Sequence, residues 1–323
     1  MAQAAPKVTI GVPVYNGERF LAEALDSALA QTYGDFEIII SDNASQDGTD
    51  EIARSYVARD ARVRFVENQT NVGAARNYNK LVRLARGRYF KWLAADDIMA
   101  PEFLARCIDV LERHPDVALA YPRTRCIDED GLVYPDDPWS PMVWPAEPSA
   151  RMRLYLEAAP WAPVLVFGLM RTEALRRTRL IGPYPGGDLN FVAELALEGA
   201  FVELTPALLF FRLHADSLTW AKADPERHVA FYAPEQRSRL ARAFLARRHG
   251  LEYGRSVLRS DVGVRQKAAL ASYLATRAVA GALRGLRRRV GSHPSDTAAS
   301  VTPPQTHWTE LIEAGDRVVA LAR

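Results

Sequence analysis

The chain reads as an α/β protein with a mostly parallel sheet and helices on both faces, and three features predict it. The first 125 residues alternate β-rich apolar runs with stretches of helical periodicity. The first β-rich run, Val8–Val14, is almost uncharged, as a strand covered on both sides is. Polar and acidic residues collect directly after each run, at the strand ends where such sheets bind ligands.

Taken in order, Val8–Val14 is the first buried strand. Asn16 suits the cap of a following helix, with Leu21, Ala24, Leu25, Ala28 and Leu29 at helical spacing. Residues 36–41 (FEIIIS) form a second strand and 42–48 a polar loop. Ile52, Ala53, Tyr56 and Val57 mark a second helix, and 63–66 a third strand. A third helix covers 74–85 and stops near Gly87, before a fourth strand at 89–93. Pro101 opens a helix carrying Phe103, Leu104, Cys107, Ile108 and Leu111, with Cys107 in the core, and 117–121 is another strand. Seven prolines between 134 and 163 mark irregular chain over one face, an acceptor-side lid or a long connection. Residues 193–197 read as helix and 201–212 as strand. Beyond Pro225 the pattern is helical and Arg-rich, with a flexible linker at 291–306 before a last short helix. The expected division is a domain over 1–222, with halves at about 1–125 and 126–222, and a helical C-terminal extension over 223–323.

Composition narrows the class. Of the 323 residues, 48% are hydrophobic and 25% charged, which excludes global disorder. Two cysteines, Cys107 and Cys126, cannot build a disulfide framework, so a reducing, cytoplasmic setting is expected. No apolar run before Pro13 resembles a signal peptide, and no run is long enough to span a membrane. Residues 236–290 hold fourteen basic and two acidic side chains, a net +12 against +2 for the whole chain, so the remainder carries −10. Leu270, Leu274, Leu283 and Leu286 with Arg277, Arg284, Arg287, Arg288 and Arg289 fit an amphipathic helix on anionic lipid at the inner membrane face. The alternatives are a solvated appendage or a homo-oligomer contact. No nucleic-acid motif is present, and no nucleic acid is expected as a partner.

Four segments follow the strands: Pro13-Val14-Tyr15-Asn16-Gly17, Ser41 to Thr49, Asn68 to Asn77 with Asn71 and Arg76, and Ala95-Asp96-Asp97. Singly these are ordinary turn and cap residues. Jointly they are less ordinary, because adjacent carboxylates after a buried strand need a cation or donors. Neither G-x-G-x-x-G nor G-x-x-x-x-G-K-[ST] is present, so phosphates are not held on a glycine loop. The economical reading is a nucleotide base held by Asp42 and a diphosphate held through a divalent metal on Asp96.

VPVYNGERFL, SDNASQDGTDEIA, NVGAARNYN, YFKWLAADDIMAPEFL, GPYPGGDLNFVAELALEG and LLFFRLHADSLT resemble, in order, the motifs of family 2 glycosyltransferases. The resemblance covers about residues 7–220. It implies a Rossmann-like GT-A fold and an inverting, metal-dependent transfer of sugar from a nucleotide-diphosphate sugar, with a UDP-sugar favoured, to a hydroxyl of a glycan, lipid-linked or small-molecule acceptor. Polysaccharide, glycolipid or other glycoconjugate synthesis would be its setting. A GDP- or dTDP-sugar, or a non-catalytic sugar-nucleotide or glycan-binding module, are the alternatives. By the same resemblance, Pro13, Tyr15, Asn16, Asn71, Arg76 and Ala95 would frame the nucleotide and Asp42 would accept from its base. Asp96, with Asp97, would bind Mn2+ or Mg2+, His214 would reach the metal or the diphosphate, and Asp188 would be the general base. The family often has Asp where Ala94 stands, and Asp97 is the candidate substitute. Glu194 reads as a helix-surface acid, Asp136 and Asp137 as turn acids. Trp139, Trp144 and Trp161 are candidates either for sugar stacking or for packing.

Overall fold

The computed structural model describes residues 5–134, 142–158, 163–215, 225–235, 238–290 and 306–307. The first half follows the expected alternation: β1 (Val8–Val14), α1 (Leu21–Leu29), β2 (Phe36–Asp42), α2 (Thr49–Arg59), β3 (Val63–Glu67), α3 (Ala74–Leu84) and β4 (Tyr89–Trp92). Next come β5 (Ile98–Met99), α4 (Phe103–Arg113), β6 (Val117–Ile127), β7 (Leu132–Val133), α5 (Pro148–Ala158), β8 (Leu169–Arg171) and α6 (Thr172–Arg177). The chain continues through α7 (Gly187–Glu198), β9 (Ala200–Arg212), α8 (Pro225–Tyr232), α9 (Arg239–Arg259), α10 (Val264–Val290) and β10 (Thr306–His307).

The strands lie in the order β10-β7-β6-β8-β4-β1-β2-β3, and β9 pairs with both β6 and β5. β1, β2, β3 and β4 are parallel, as is the long β6–β9 ladder. β8 enters antiparallel between β4 and β6. Every residue of β1, β2 and β4 is buried, because helices cover both sides of these strands. One apolar core runs from β1 through Leu270 of α10, with Cys107 fully buried in it.

Three expectations change. Asn16 caps no helix: α1 begins at Leu21, and Asn16 sits at φ 52°, a left-handed conformation that Asn tolerates. The proline-rich stretch contains a helix, α5. Pro148 occupies its first position, where a missing N–H loses nothing, and the Glu147 carboxylate accepts from the Ser149 hydroxyl at 2.7 Å and the Ala150 N–H at 2.6 Å. Its buried residues Met152, Tyr155 and Leu156 follow helical spacing. Finally, α9 is not a free appendage. Arg179 ties the Glu194 carboxylate of α7 (2.6 Å) to Glu252 of α9 (2.5 Å). Burial works to raise the Glu252 carboxyl, but hydrogen bonds from Arg248, Arg179 and Arg255 outweigh it and hold it at about 2. Asp136, Asp137, Trp139, Trp161, residues 291–305 and the last short helix lie outside the described residues, as do the side chains of Leu283, Leu286, Arg284, Arg287, Arg288 and Arg289. Trp144 packs: its indole N–H donates to the Tyr121 hydroxyl at 2.9 Å and its ring meets Phe201 edge-on.

Candidate active site

The parallel strands β1, β2 and β4 deliver their following loops to one edge, and side chains lock those loops together. The backbone N–H of Asn16 donates to the Ser45 hydroxyl (2.8 Å), and the Asn16 side chain accepts from the Gln46 N–H (2.9 Å). The Gly17 N–H donates to Thr49 at 2.9 Å. Pro13 is buried in register with Ser41, whereas Tyr15 is 48% exposed. Asp42 is buried, and its carboxylate accepts from the N–H and hydroxyl of Ser45. A carboxylate accepts about four hydrogen bonds, so room remains for one more donor. Asn71 is part of the frame: its side-chain oxygen accepts from the Asn43 amide and the Gly73 N–H, both at 2.9 Å. Arg76 is half-exposed and pairs with Glu235 at 3.0 Å. Ala95 lies against the Gly17 backbone, which joins the loops after β1 and β4.

The β5–β9 pairing brings the segment after β4 to the end of β9, with Ile98 opposite Phe210. As a result Asp96 Oδ2 and His214 Nε2 stand 2.9 Å apart, beside Phe20. His214 also borders a cleft of about 630 Å3, lined with it by Asp128, Glu129, Asp130, Tyr134, Leu213 and Ala215. Asp97 goes elsewhere. Its fully buried carboxylate accepts from the Arg212 N–H at 3.0 Å, and burial, then the Asp96 charge, pushes it well above the usual range. It does not stand with Asp96 and His214 as expected, nor does it replace a side chain at Ala94.

Arg212 is the residue that sequence reasoning missed here. It is 1% exposed, donates to the carbonyls of Asp96 (2.9 Å), Asp128 and Glu129 (both 3.0 Å), and pairs with Glu23 at 2.5 Å. Its guanidinium lies over the Phe20 ring, 4.6 Å from the centroid. The signal was the Arg two residues before His214, read only as part of a motif.

Asp188 is the second residue of α7. The cap is Gly186 at φ 79°, with no side-chain cap bond, so Asp188 does not cap the helix. The paired glycines serve the chain itself: Gly186 takes the left-handed conformation, and a Cβ on Gly187 would lie 2.1 Å from the Gly182 carbonyl oxygen. Asp188 Oδ1 accepts from the Tyr232 hydroxyl at 3.0 Å. Burial, then the charges of Asp96, Asp97 and Asp188, push the Tyr78 hydroxyl up. Glu194, expected at the surface, is 9% exposed and bound to Arg179 and Ser256, so it is not free to act as a base.

A metal implied by the resemblance fits Asp96 and His214. Two donors 2.9 Å apart suit neighbouring positions around an ion with bonds of ~2.1 Å, and such ions commonly keep one or two protein ligands and complete their shell with phosphates. Among the described residues no group of three His, Cys, Asp or Glu stands together as a metal cluster.

The family model described as glycosyl transferase family 2 matches residues 9–178. Chondroitin synthase of Escherichia coli is 36% identical over 126 residues, 39% of this chain and 18% of that protein. An uncharacterized glycosyltransferase of Methanocaldococcus jannaschii is 36% identical over 130 residues, 40% of this chain and 45% of that protein. The putative glycosyltransferase EpsE of Bacillus subtilis is 35% identical over 128 residues, 39% and 46%. The chain thus spans less than half the length of each. Residues 1–349 of TarS from S. aureus, solved with UDP-GlcNAc, superpose at a TM-score of 0.61 with 19% identity, over 83% of this chain and 71% of that one, a likeness of fold. With the family model covering just over half of the sequence and the motif-bearing loops gathered at one sheet edge, the chain belongs to glycosyl transferase family 2.

Proposed function

We propose that the chain is an inverting glycosyltransferase that moves a sugar from a nucleotide-diphosphate sugar, UDP-sugar favoured, to an acceptor hydroxyl. The observation that carries the reading is the Asp96 Oδ2–His214 Nε2 pair at 2.9 Å, two motif residues brought together where the segment after β4 meets the end of β9. Asp42 accepts from the imide N–H of the base. Asp96 and His214 hold Mn2+ or Mg2+, which when bound neutralises the departing diphosphate. Asp188 takes the proton of the attacking hydroxyl. A single base opposite the leaving group is consistent with inversion. The acceptor is a glycan, lipid-linked or small-molecule hydroxyl.

UDP release from a panel of UDP-sugars with Mn2+ tests the reading. Slow release is expected. Tight UDP binding without release across a broad acceptor panel would instead favour a non-catalytic binding module. Thermal shift with UDP, GDP and dTDP ranks the bases, since ligand at ~100 Kd adds ~2.7 kcal/mol. Asp42→Ala is expected to weaken UDP binding by about 1.5–3 kcal/mol, the range for a hydrogen bond to a charged group. Unchanged UDP affinity by calorimetry in the folded variant removes Asp42 from the site.

The basic C-terminal region supports a cytoplasmic protein that contacts anionic membrane. No described helix is long and apolar enough to cross one. Leu270 and Leu274, expected to face lipid, pack on the core instead, whereas Leu251, Leu258 and Val264 are 61%, 71% and 83% exposed, along a stretch that also carries Arg255, Arg259, Arg265 and Lys267. Each basic side chain near such a surface adds ~1 kcal/mol, screened by salt. The protein is expected to sediment with phosphatidylglycerol vesicles at low salt and to release at high salt. Failure to sediment at low salt leaves an oligomer contact as the reading of this surface.

A further inference from the structure

We propose that Tyr232 is a positioning residue for the reaction, holding the Asp188 carboxylate through Oδ1 so that Oδ2 faces the acceptor hydroxyl. The inference rests on the reading of Asp188 as the base and adds a group from a part of the chain that the family motifs do not reach.

The geometry begins with α8. Tyr232 closes that helix, is 5% exposed, and donates its hydroxyl to Asp188 Oδ1 at 3.0 Å. No other hydrogen bond reaches the Asp188 carboxylate among the described residues. The same segment is seated on the donor-side loop. Gly73 stands at φ 81°, and a Cβ there would lie 2.5 Å from the Tyr232 carbonyl oxygen and 2.9 Å from the Pro234 ring. Three residues on from Tyr232, Glu235 pairs with Arg76. One short stretch therefore touches the loop that frames the nucleotide and the carboxylate on the acceptor side. Only glycine at position 73 allows that approach.

The surroundings suit a phenol as the donor. Tyr78 of α3, Tyr155 of α5, Tyr232 of α8 and Tyr253 of α9 all carry hydroxyls pushed up first by burial and then, among other charges, by Asp188. On α7 itself, Glu194 is bound to Arg179 and Glu198 to Arg177. Of the four phenols, Tyr232 donates its hydroxyl to the Asp188 carboxylate. A phenol that stays protonated across the working pH range remains a donor throughout, and a hydrogen bond to a carboxylate favours its ionised form, which a base requires.

The test uses the full chain carrying Tyr232→Phe, which keeps the ring and its packing and removes one hydroxyl. UDP release from UDP-N-acetylglucosamine, UDP-glucose and UDP-galactose with Mn2+ is followed against pH, with water as the acceptor. Turnover is expected to fall ~10-fold and the acidic limb of the profile to move up by about one pH unit, with UDP affinity unchanged. Incorporation of 3-fluorotyrosine at 232, a stronger donor, is expected to move the limb down. A Tyr232→Phe enzyme with wild-type turnover and an unmoved acidic limb overturns the inference. So does a purely structural effect, in which the melting temperature falls but the profile of the folded fraction is unmoved. Asp188→Asn run alongside separates the two readings. If it retains turnover, the base assignment has failed and Tyr232 with it. If it is inactive while Tyr232→Phe is wild-type, Tyr232 alone has been misread.

Discussion

Asp188→Asn is expected to lower turnover by ~10²–10⁴-fold while leaving nucleotide affinity nearly unchanged, the loss that follows removal of a general base. The local structure makes this a clean substitution. Asp188 is the second residue of α7 and Gly186 is its cap, so no capping bond is lost. What stability changes is the attraction of a carboxylate to the helix N-terminus, about 0.3–1 kcal/mol. Asn keeps the shape and can still accept from Tyr232. Glu194 cannot stand in, because Arg179 and Ser256 occupy it. Single-turnover release of UDP separates the chemical step from binding. Transfer at a near wild-type rate by the folded variant would move the base to another residue.

The second large effect is expected at Arg212. Its removal leaves the carbonyls of Asp96 and Glu129 without the side-chain donor they share, takes one of two donors from the Asp128 carbonyl, and leaves Lys91 as the cation acting on the Asp97 carboxylate. Breaking a buried pair of this kind costs about 3–5 kcal/mol. The Glu23 side chain is 41% exposed and can return to water, so Arg212→Ala is expected near the lower end, about 3 kcal/mol, read as a fall in the urea midpoint. The proposed stimulation by Mn2+ should weaken as well, since the turn carrying Asp96 is braced by this side chain. Arg212→Lys should not rescue either property, because one ammonium cannot span three carbonyls and a carboxylate. An Arg212→Ala protein within 1 kcal/mol of wild type, with unchanged Mn2+ dependence, would show that the turn is held by other contacts.

Most of the donor half was legible without coordinates. β1 was read with its observed bounds and the strands and helices through β4 to within a few residues, because burial on both faces leaves an uninterrupted apolar run and a helix leaves its period, whereas β5 was not read and β6 runs to Ile127, six residues past its expected end. α5 left a weaker trace, because its buried face mixes Ser149 and Arg151 with Met152, Tyr155 and Leu156, and the surrounding prolines drew the reading towards loop.

What the amino-acid sequence determined by itself was local: strand and helix alternation, turn chemistry, and which polar residues follow which strand. Partnership across long separations was decided by the tertiary structure. Asp96 and His214 are 118 residues apart and meet because β5 pairs with β9. Asp188 and Tyr232 are 44 residues apart and meet because α8 seats on Gly73. Asp97 adjoins Asp96 yet is buried, since Asp96 lies in the turn closed by the Asp97 N–H on the Ala94 carbonyl (3.2 Å) and the chain leaves that turn with the Asp97 carboxylate directed inward onto the Arg212 N–H. No local pattern records these outcomes, because strand register and helix docking are set by how distant side chains pack, and the loops at the sheet edge take their final shape only against that packing.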